Sequence, residues 1–152
     1  MGASVTGVDA AHKEDFVRSM GASHFVDYQQ RNVTELEERF DVIFDMVPDT
    51  DVSAMVGLLT PGGRYANGNP RLTTLLRAPL SRFANHKIIV AFADETRAAL
   101  KQLTARIEAG EIEPIVDRIL PMERAAEAHQ LVDSEERVGA IVLAMGERAN
   151  ER

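Results

Sequence analysis

The chain has 152 residues, 45% hydrophobic and 27% charged, with a net charge of -7 and no cysteine. That composition suits one soluble globular domain or part of a larger protein. It excludes disulfides and thiolate metal sites, and it argues against a general nucleic-acid binder, whose affinity needs phosphate-neutralising cations. No apolar run approaches membrane-spanning length, no signal peptide is expected ahead of the first strand, and a cytoplasmic location is the expectation.

Residues 3–8 read as a strand ending at Asp9. Helical spacing follows through Phe16, Val17 and Met20, with Gly21 as a left-handed cap. Residues 23–28 form the second expected strand. Residues 29–39 are polar, with Val33, Leu36 and Phe40 at helical spacing. The stretch 40–69 organises the rest. Val42, Ile43, Phe44, Met46 and Val47 read as a strand buried on both faces. Asp49 and Asp51 offer caps to a helix carrying Val52, Met55, Val56 and Leu59. Thr60-Pro61-Gly62-Gly63 reads as its stop. Residues 64–67 are the next strand, closed by Gly68.

Residues 69–85 carry two prolines and read as a loop with one short helix at 73–77. Residues 86–92 are a strand. Asp94 is the expected cap of a helix with an apolar stripe of Leu100, Leu103 and Ile107, ended by Gly110. After the break at Glu113-Pro114, residues 115–120 form a short strand. Pro121 starts a helix through Ala125, Ala128, Leu131 and Val132. Residues 139–145 read as a last, fully buried strand, and the charged tail beyond is expected to fray. Strands and helices alternating at these lengths mean α/β with a largely parallel sheet flanked by helices.

The order of motifs resembles the medium-chain dehydrogenase/reductase family, in its zinc-type alcohol dehydrogenase and quinone oxidoreductase branch. The matching pieces are Gly7-Val8-Asp9, Ser19-Met20-Gly21-Ala22-Ser23-His24, Phe40-Asp41-Val42-Ile43-Phe44-Asp45 and Leu59-Thr60-Pro61-Gly62-Gly63-Arg64-Tyr65. Later come Ile107-Glu108-Ala109-Gly110, the run from Pro114 to Pro121, Ala125-Ala126-Glu127-Ala128 and Val138-Gly139-Ala140-Ile141-Val142-Leu143. The family's Gly-x-Gly-x-x-Gly phosphate turn does not occur in this sequence. The resemblance therefore implies a C-terminal portion: a partial Rossmann region over residues 1–93, lacking the first strand and the glycine turn. A helix-strand-helix-strand segment over 94–146 packs on it, and residues 147–152 are a disordered tail.

The same resemblance implies an oxidoreductase that moves hydride to or from a carbonyl, alcohol or enone when intact. It implies NAD, or NADP, as cofactor. Asp9 would accept the adenosine ribose hydroxyls and repel a 2′-phosphate, favouring NAD; it also reads as a plain helix N-cap. His12 and Lys13 would edge the adenine pocket. Asp45 and Val47 would end a strand beside the cofactor, and Gly68 and Asn69 would approach the nicotinamide. Without the glycine turn's anion site, the chain alone is expected to bind cofactor weakly or not at all, and to catalyse nothing alone. No catalytic residue is assigned.

His24, His86 and His129 lack partners at ligand spacing, so no zinc site is expected. Arg71, Arg77, Arg82 and Lys87 read as a solvated face or a dimer rim. Unpaired sheet edges seek partners, so a homodimer is expected through the strand from Lys87 to Phe92, with no membrane or nucleic-acid partner. Two rival readings remain open. One is a class I methyltransferase fragment, which shares the acid after the second strand and a Pro-Gly-Gly-Arg-like turn. The other is a non-catalytic dimerisation or interaction module.

Overall fold

The structure, a computed structural model, describes residues 2–48, 50–81, 85–91 and 96–145. The chain divides into two compact units, Met1–Asp94 and Glu95–Arg152.

In the first unit, β1 (Thr6–Asp9) pairs in parallel with β2 (His24–Asp27), with Asp9 opposite Asp27. A 3-10 turn (Ala11–Lys13) and α1 (Glu14–Ser19) connect them. A Cβ on Gly7 would run into Val17 Cγ1, so glycine lets α1 settle onto β1. Gly21 closes the helix at φ 99°, as its position suggests. Residues 29–39 depart from expectation: they hold turns and one 3-10 turn, Val33–Glu35, instead of an α-helix. Asn32 caps that turn, its Oδ1 accepting the Thr34 amide at 3.1 Å and the Thr34 hydroxyl at 2.8 Å, and the turn ends at Leu36, which takes extended backbone at φ -64° and ψ 138°. Leu36 is buried, and Phe40 belongs to the next strand.

β3 (Phe40–Asp45), β4 (Leu59–Asn67) and β5 (Lys87–Val90) form a parallel sheet in the order β3-β4-β5. Between β3 and β4 lies α2 (Val52–Gly57), capped by Asp51, whose Oδ1 accepts the amides of Ser53 and Ala54 at 2.9 and 3.3 Å. Asp49, the other expected cap, lies outside the described residues. The helix is shorter than its apolar spacing suggests, because Leu59 already pairs with Phe40. Thr60-Pro61-Gly62-Gly63 is then a bulge inside β4, and regular pairing resumes at Val42 opposite Arg64. The bulge is tied at both sides: Thr60 Oγ1 donates to Asp41 Oδ1 at 2.7 Å, and the Gly62 amide donates to Asn85 O at 2.7 Å. Gly62 takes φ 83°, which a side chain resists.

β3 is not buried on both faces. Asp45 is covered, but Val42 (61%) and Phe44 (66%) are exposed, as are Met46 and Val47. Asp45 and, in part, Ile43 lie on the covered face, and Val42 and Phe44 lie on the open one. After β4, α3 (Leu72–Leu80) is longer than the expected helix at 73–77 and takes Pro79 into its last turn. Ser81 Oγ stitches its end to β5, donating to Ala78 O at 2.6 Å and accepting the Ile88 amide at 3.0 Å. The β1-β2 pair is a separate sheet; no ladder joins it to β3 among the described residues.

In the second unit, Thr96 caps α4 (Arg97–Glu108), its Oγ1 accepting the Ala99 amide at 3.2 Å. Asp94, the expected cap, lies outside the described residues. The stripe of Leu100, Leu103 and Ile107 is exposed. β6 (Val116–Pro121) pairs in parallel with β7 (Ala140–Ala144), and α5 (Ala125–Asp133) crosses between them after a 3-10 turn, Met122–Arg124. Leu120 and Ala128 are its buried apolar centre. β7 is not fully buried: Val142 stands exposed. The tail beyond Met145 lies outside the described residues. Among the described residues no helix is long and apolar enough to cross a membrane.

Candidate functional site

Parallel register sets Asp45 beside Asn67 and Ile43 beside Tyr65 at the carboxyl ends of β3 and β4. Side chains two apart share a face, so Tyr65 and Asn67 converge with Asp45 on one side of the sheet. All three are buried, at 0%, 3% and 6% exposure respectively. The Tyr65 hydroxyl donates to Asp45 Oδ2 at 2.6 Å and accepts from Asn67 Nδ2 at 2.8 Å. The free ends of this chain hold backbone: Asp45 Oδ1 accepts the Val47 amide at 2.8 Å, and Asn67 Oδ1 accepts the Asn69 amide at 2.9 Å. The Gly68 amide donates to Asp45 O at 2.9 Å, closing one loop against the other. Burial, helped by the bond to Asp45, pushes the Tyr65 hydroxyl up to about 12 from its ordinary 10.0, against a smaller opposing effect of Asn67. Tyr65 is thus a neutral donor held in place, not a proton carrier at neutral pH.

Gly68 faces the thioether of the exposed Met46, and a Cβ there would run into the sulfur, so a larger residue would displace that side chain. Asp45, Val47, Gly68 and Asn69 are brought together as the sequence suggested. Tyr65 and Asn67 escaped notice; the signal was their two-residue spacing on the strand paired with Asp45.

Asp9 stands at the carboxyl end of β1, in the other sheet. Its Oδ1 accepts the Ala10 amide at 2.8 Å and meets Lys13 Nζ at 3.3 Å. It does not cap the following turn, whose N-cap is Ala10 without a side-chain bond. Its Oδ2 carries neither of these contacts. His12 is exposed on the 3-10 turn. His24 and His129 are exposed, and His86 is partly buried with Nδ1 unpartnered. Arg71 and Lys87 are exposed; Arg82 and the Arg77 side chain lie outside the described residues.

The zinc-binding dehydrogenase family pattern matches residues 20–143. The chain belongs to this family. An NADPH-dependent alkenal/one oxidoreductase of Arabidopsis thaliana is 30% identical over 141 residues, spanning 91% of this chain and 33% of that protein. A quinone oxidoreductase of Sus scrofa is 27% identical over 133 residues, 79% of this chain and 38% of its own. The chain thus spans 33% and 38% of these relatives' lengths. The fold agrees with that of a quinone oxidoreductase from Coxiella burnetii, at TM-score 0.76 and 17% identity over 95% of this chain and 45% of that one.

Membership in the zinc-binding dehydrogenase family sets the methyltransferase reading aside. It makes the α/β architecture with parallel sheets Rossmann-like, matched to part of a larger enzyme fold. The described residues do not fit a zinc ion: no three of their His, Asp and Glu groups converge, and the sequence has no cysteine.

Proposed function

We propose that the chain is the nucleotide-holding portion of a cytoplasmic NAD(P)-dependent oxidoreductase. Its intact form would move hydride between nicotinamide and a carbonyl, alcohol or enone. The observation that carries this reading is the placement of Asp9 and of the loops beginning at Val47 and Gly68. They stand at the carboxyl ends of parallel strands, where α/β sheets bind ligands, in a chain of the zinc-binding dehydrogenase family. The names of the Arabidopsis and pig relatives, an alkenal/one oxidoreductase and a quinone oxidoreductase, support the substrate class.

The donor set fits part of a dinucleotide. Asp9 Oδ2 suits the ribose, and Lys13 beside it lessens repulsion of a 2′-phosphate. The exposed Val47 side chain offers an apolar surface to a planar ring. The cofactor would supply the hydride chemistry; these residues would bind and orient it. With no Gly-x-Gly-x-x-Gly turn in the sequence, the pyrophosphate grip is absent from this stretch, and affinity is expected in the millimolar range, about -4 kcal/mol. A homodimer through β5 completes the proposal. β5 ends its sheet and Ile89 is 41% exposed; Phe92, the far end of the proposed interface, lies outside the described residues.

The test is an amide-resolved NMR titration with NADH and NADPH. Saturable shifts at Asp9, Val47 and Asn69, without NADPH oxidation by the chain alone, are expected. No shift at several times the millimolar range (~5 mM) overturns the reading. An interaction module is the second reading. It draws on the exposed apolar face of Val42 and Phe44, and shifts absent at all three positions would favour it.

A further inference from the structure

We infer that Tyr65 and Asn67 are positioning residues, forming with Asp45 a one-way hydrogen-bond relay that locks the loop after β3 and the loop after β4 into a single arrangement. What those loops hold rests on the cofactor reading above; the relay itself rests on geometry.

The direction of each link follows from its neighbour. Both Asp45 oxygens accept, one from the Val47 amide and one from Tyr65. A carboxylate has no proton to give, so the Tyr65 hydroxyl must donate toward it. That spends the only phenolic proton, leaving the Tyr65 oxygen as an acceptor toward Asn67. Asn67 must therefore present Nδ2 to Tyr65, at 2.8 Å. Its Oδ1 then points the other way and takes the Asn69 amide at 2.9 Å. Reverse any link and an amide or a buried polar atom loses its partner. The acid at the end of β3 thus sets which atom of Asn67 faces the loop of β4, two side chains away. The Gly68 amide on Asp45 O, and the Met46 side chain against Gly68, bind the same two loops a second time.

A purely space-filling role for these residues makes no directional demand, and Asp45→Asn separates the two. The carboxamide has one oxygen for the two donors that the carboxylate serves. Facing the Val47 amide, it turns a donor toward Tyr65, whose proton then goes to Asn67, and Asn67 flips and withdraws its oxygen from the Asn69 amide; facing Tyr65, it leaves the Val47 amide without its acceptor. Amide hydrogen exchange of the whole chain, read by NMR, tests this. In the wild type both the Val47 and Asn69 amides should be protected; both exchanging at open-loop rates would overturn the relay without any variant. In Asp45→Asn one of the two amides, Val47 or Asn69, should lose protection about tenfold while the other keeps its own, a loss matching one hydrogen bond. In Tyr65→Phe both should fall. Unchanged protection of both amides in Asp45→Asn overturns the inference.

NADPH added to the same samples separates the two claims. If it shifts the wild type, Asp45→Asn should weaken the response at least about threefold, within the effect of one lost hydrogen bond. An equal response despite a released Val47 or Asn69 amide overturns the positioning role. No wild-type response defeats the nucleotide reading, and the amides alone then decide the relay.

Discussion

Lys13 Nζ, four residues on, stands 3.3 Å from Asp9 Oδ1, and the lysine side chain is the more covered of the two. An unaccompanied acid at a strand end repels a 2′-phosphate; an acid partnered by an ammonium repels it less. The preference for NAD over NADP that Asp9 alone suggests should therefore be muted. Asp9→Ala should weaken NADH binding and relax selection against NADPH. Lys13→Ala should shift selection toward NADH by roughly 2- to 5-fold, the scale of a partly exposed pair. Titration of both nucleotides against each variant checks this. An unchanged preference in Asp9→Ala removes Asp9 from the cofactor role.

Tyr65→Phe keeps the ring in place but leaves Asp45 Oδ2 and Asn67 Nδ2 buried without their partner. The expected loss is about 1–3 kcal/mol, since the orphaned groups bear the desolvation cost. Denaturant unfolding should show it as a lower midpoint with an unchanged slope.

The raised Tyr65 pKa gives stability a dependence on alkaline pH. The folded state holds the phenolic proton more tightly than the unfolded one, so this contribution is complete below pH 10.0 and is lost as pH rises toward about 12. The wild type should lose stability over that window, and Tyr65→Phe should flatten the loss. Tyrosinate absorbance followed during the titration should show a late step near the upper limit, missing in the variant.

Gly62→Ala should destabilise by about 1–2 kcal/mol, the cost of left-handed backbone for a residue with a Cβ. At that position φ is 83° and space around the Cβ is open, so backbone strain is the whole effect. Thermal unfolding measures it. A neutral result would mean that the bulge in β4 takes another backbone shape.

Ile89→Lys should convert the proposed β5 dimer to monomer, because a mid-strand charge opposes edge pairing. Light scattering at low concentration reads the mass. A wild-type monomer refutes the dimer; a dimer that survives the substitution moves the interface away from β5.

The alternation of strands and helices was legible because it is written locally. Short β-branched runs, Asp51 as a cap and Gly21 as a terminator each act within a few residues. Asp45, Val47, Gly68 and Asn69 could be gathered because strand ends in parallel sheets fall at one edge. Pairing decided the rest. Thr60-Pro61-Gly62-Gly63 has the composition of a turn, and only the ladder to Phe40 and Val42 makes it a bulge. Residues 29–39 show helical spacing, yet the turn that Asn32 caps ends at Leu36 in extended backbone, which spacing does not reveal. Val42 and Phe44 have the composition of a core strand, but exposure depends on what packs over each face, and among the described residues their face is left open. Tyr65 is in sequence an ordinary strand tyrosine. Its burial and its bond to Asp45, 20 residues earlier, exist only because register places their hydroxyl and carboxylate on the same face. Contacts between residues distant in the chain carry no local mark, and those contacts make the candidate site.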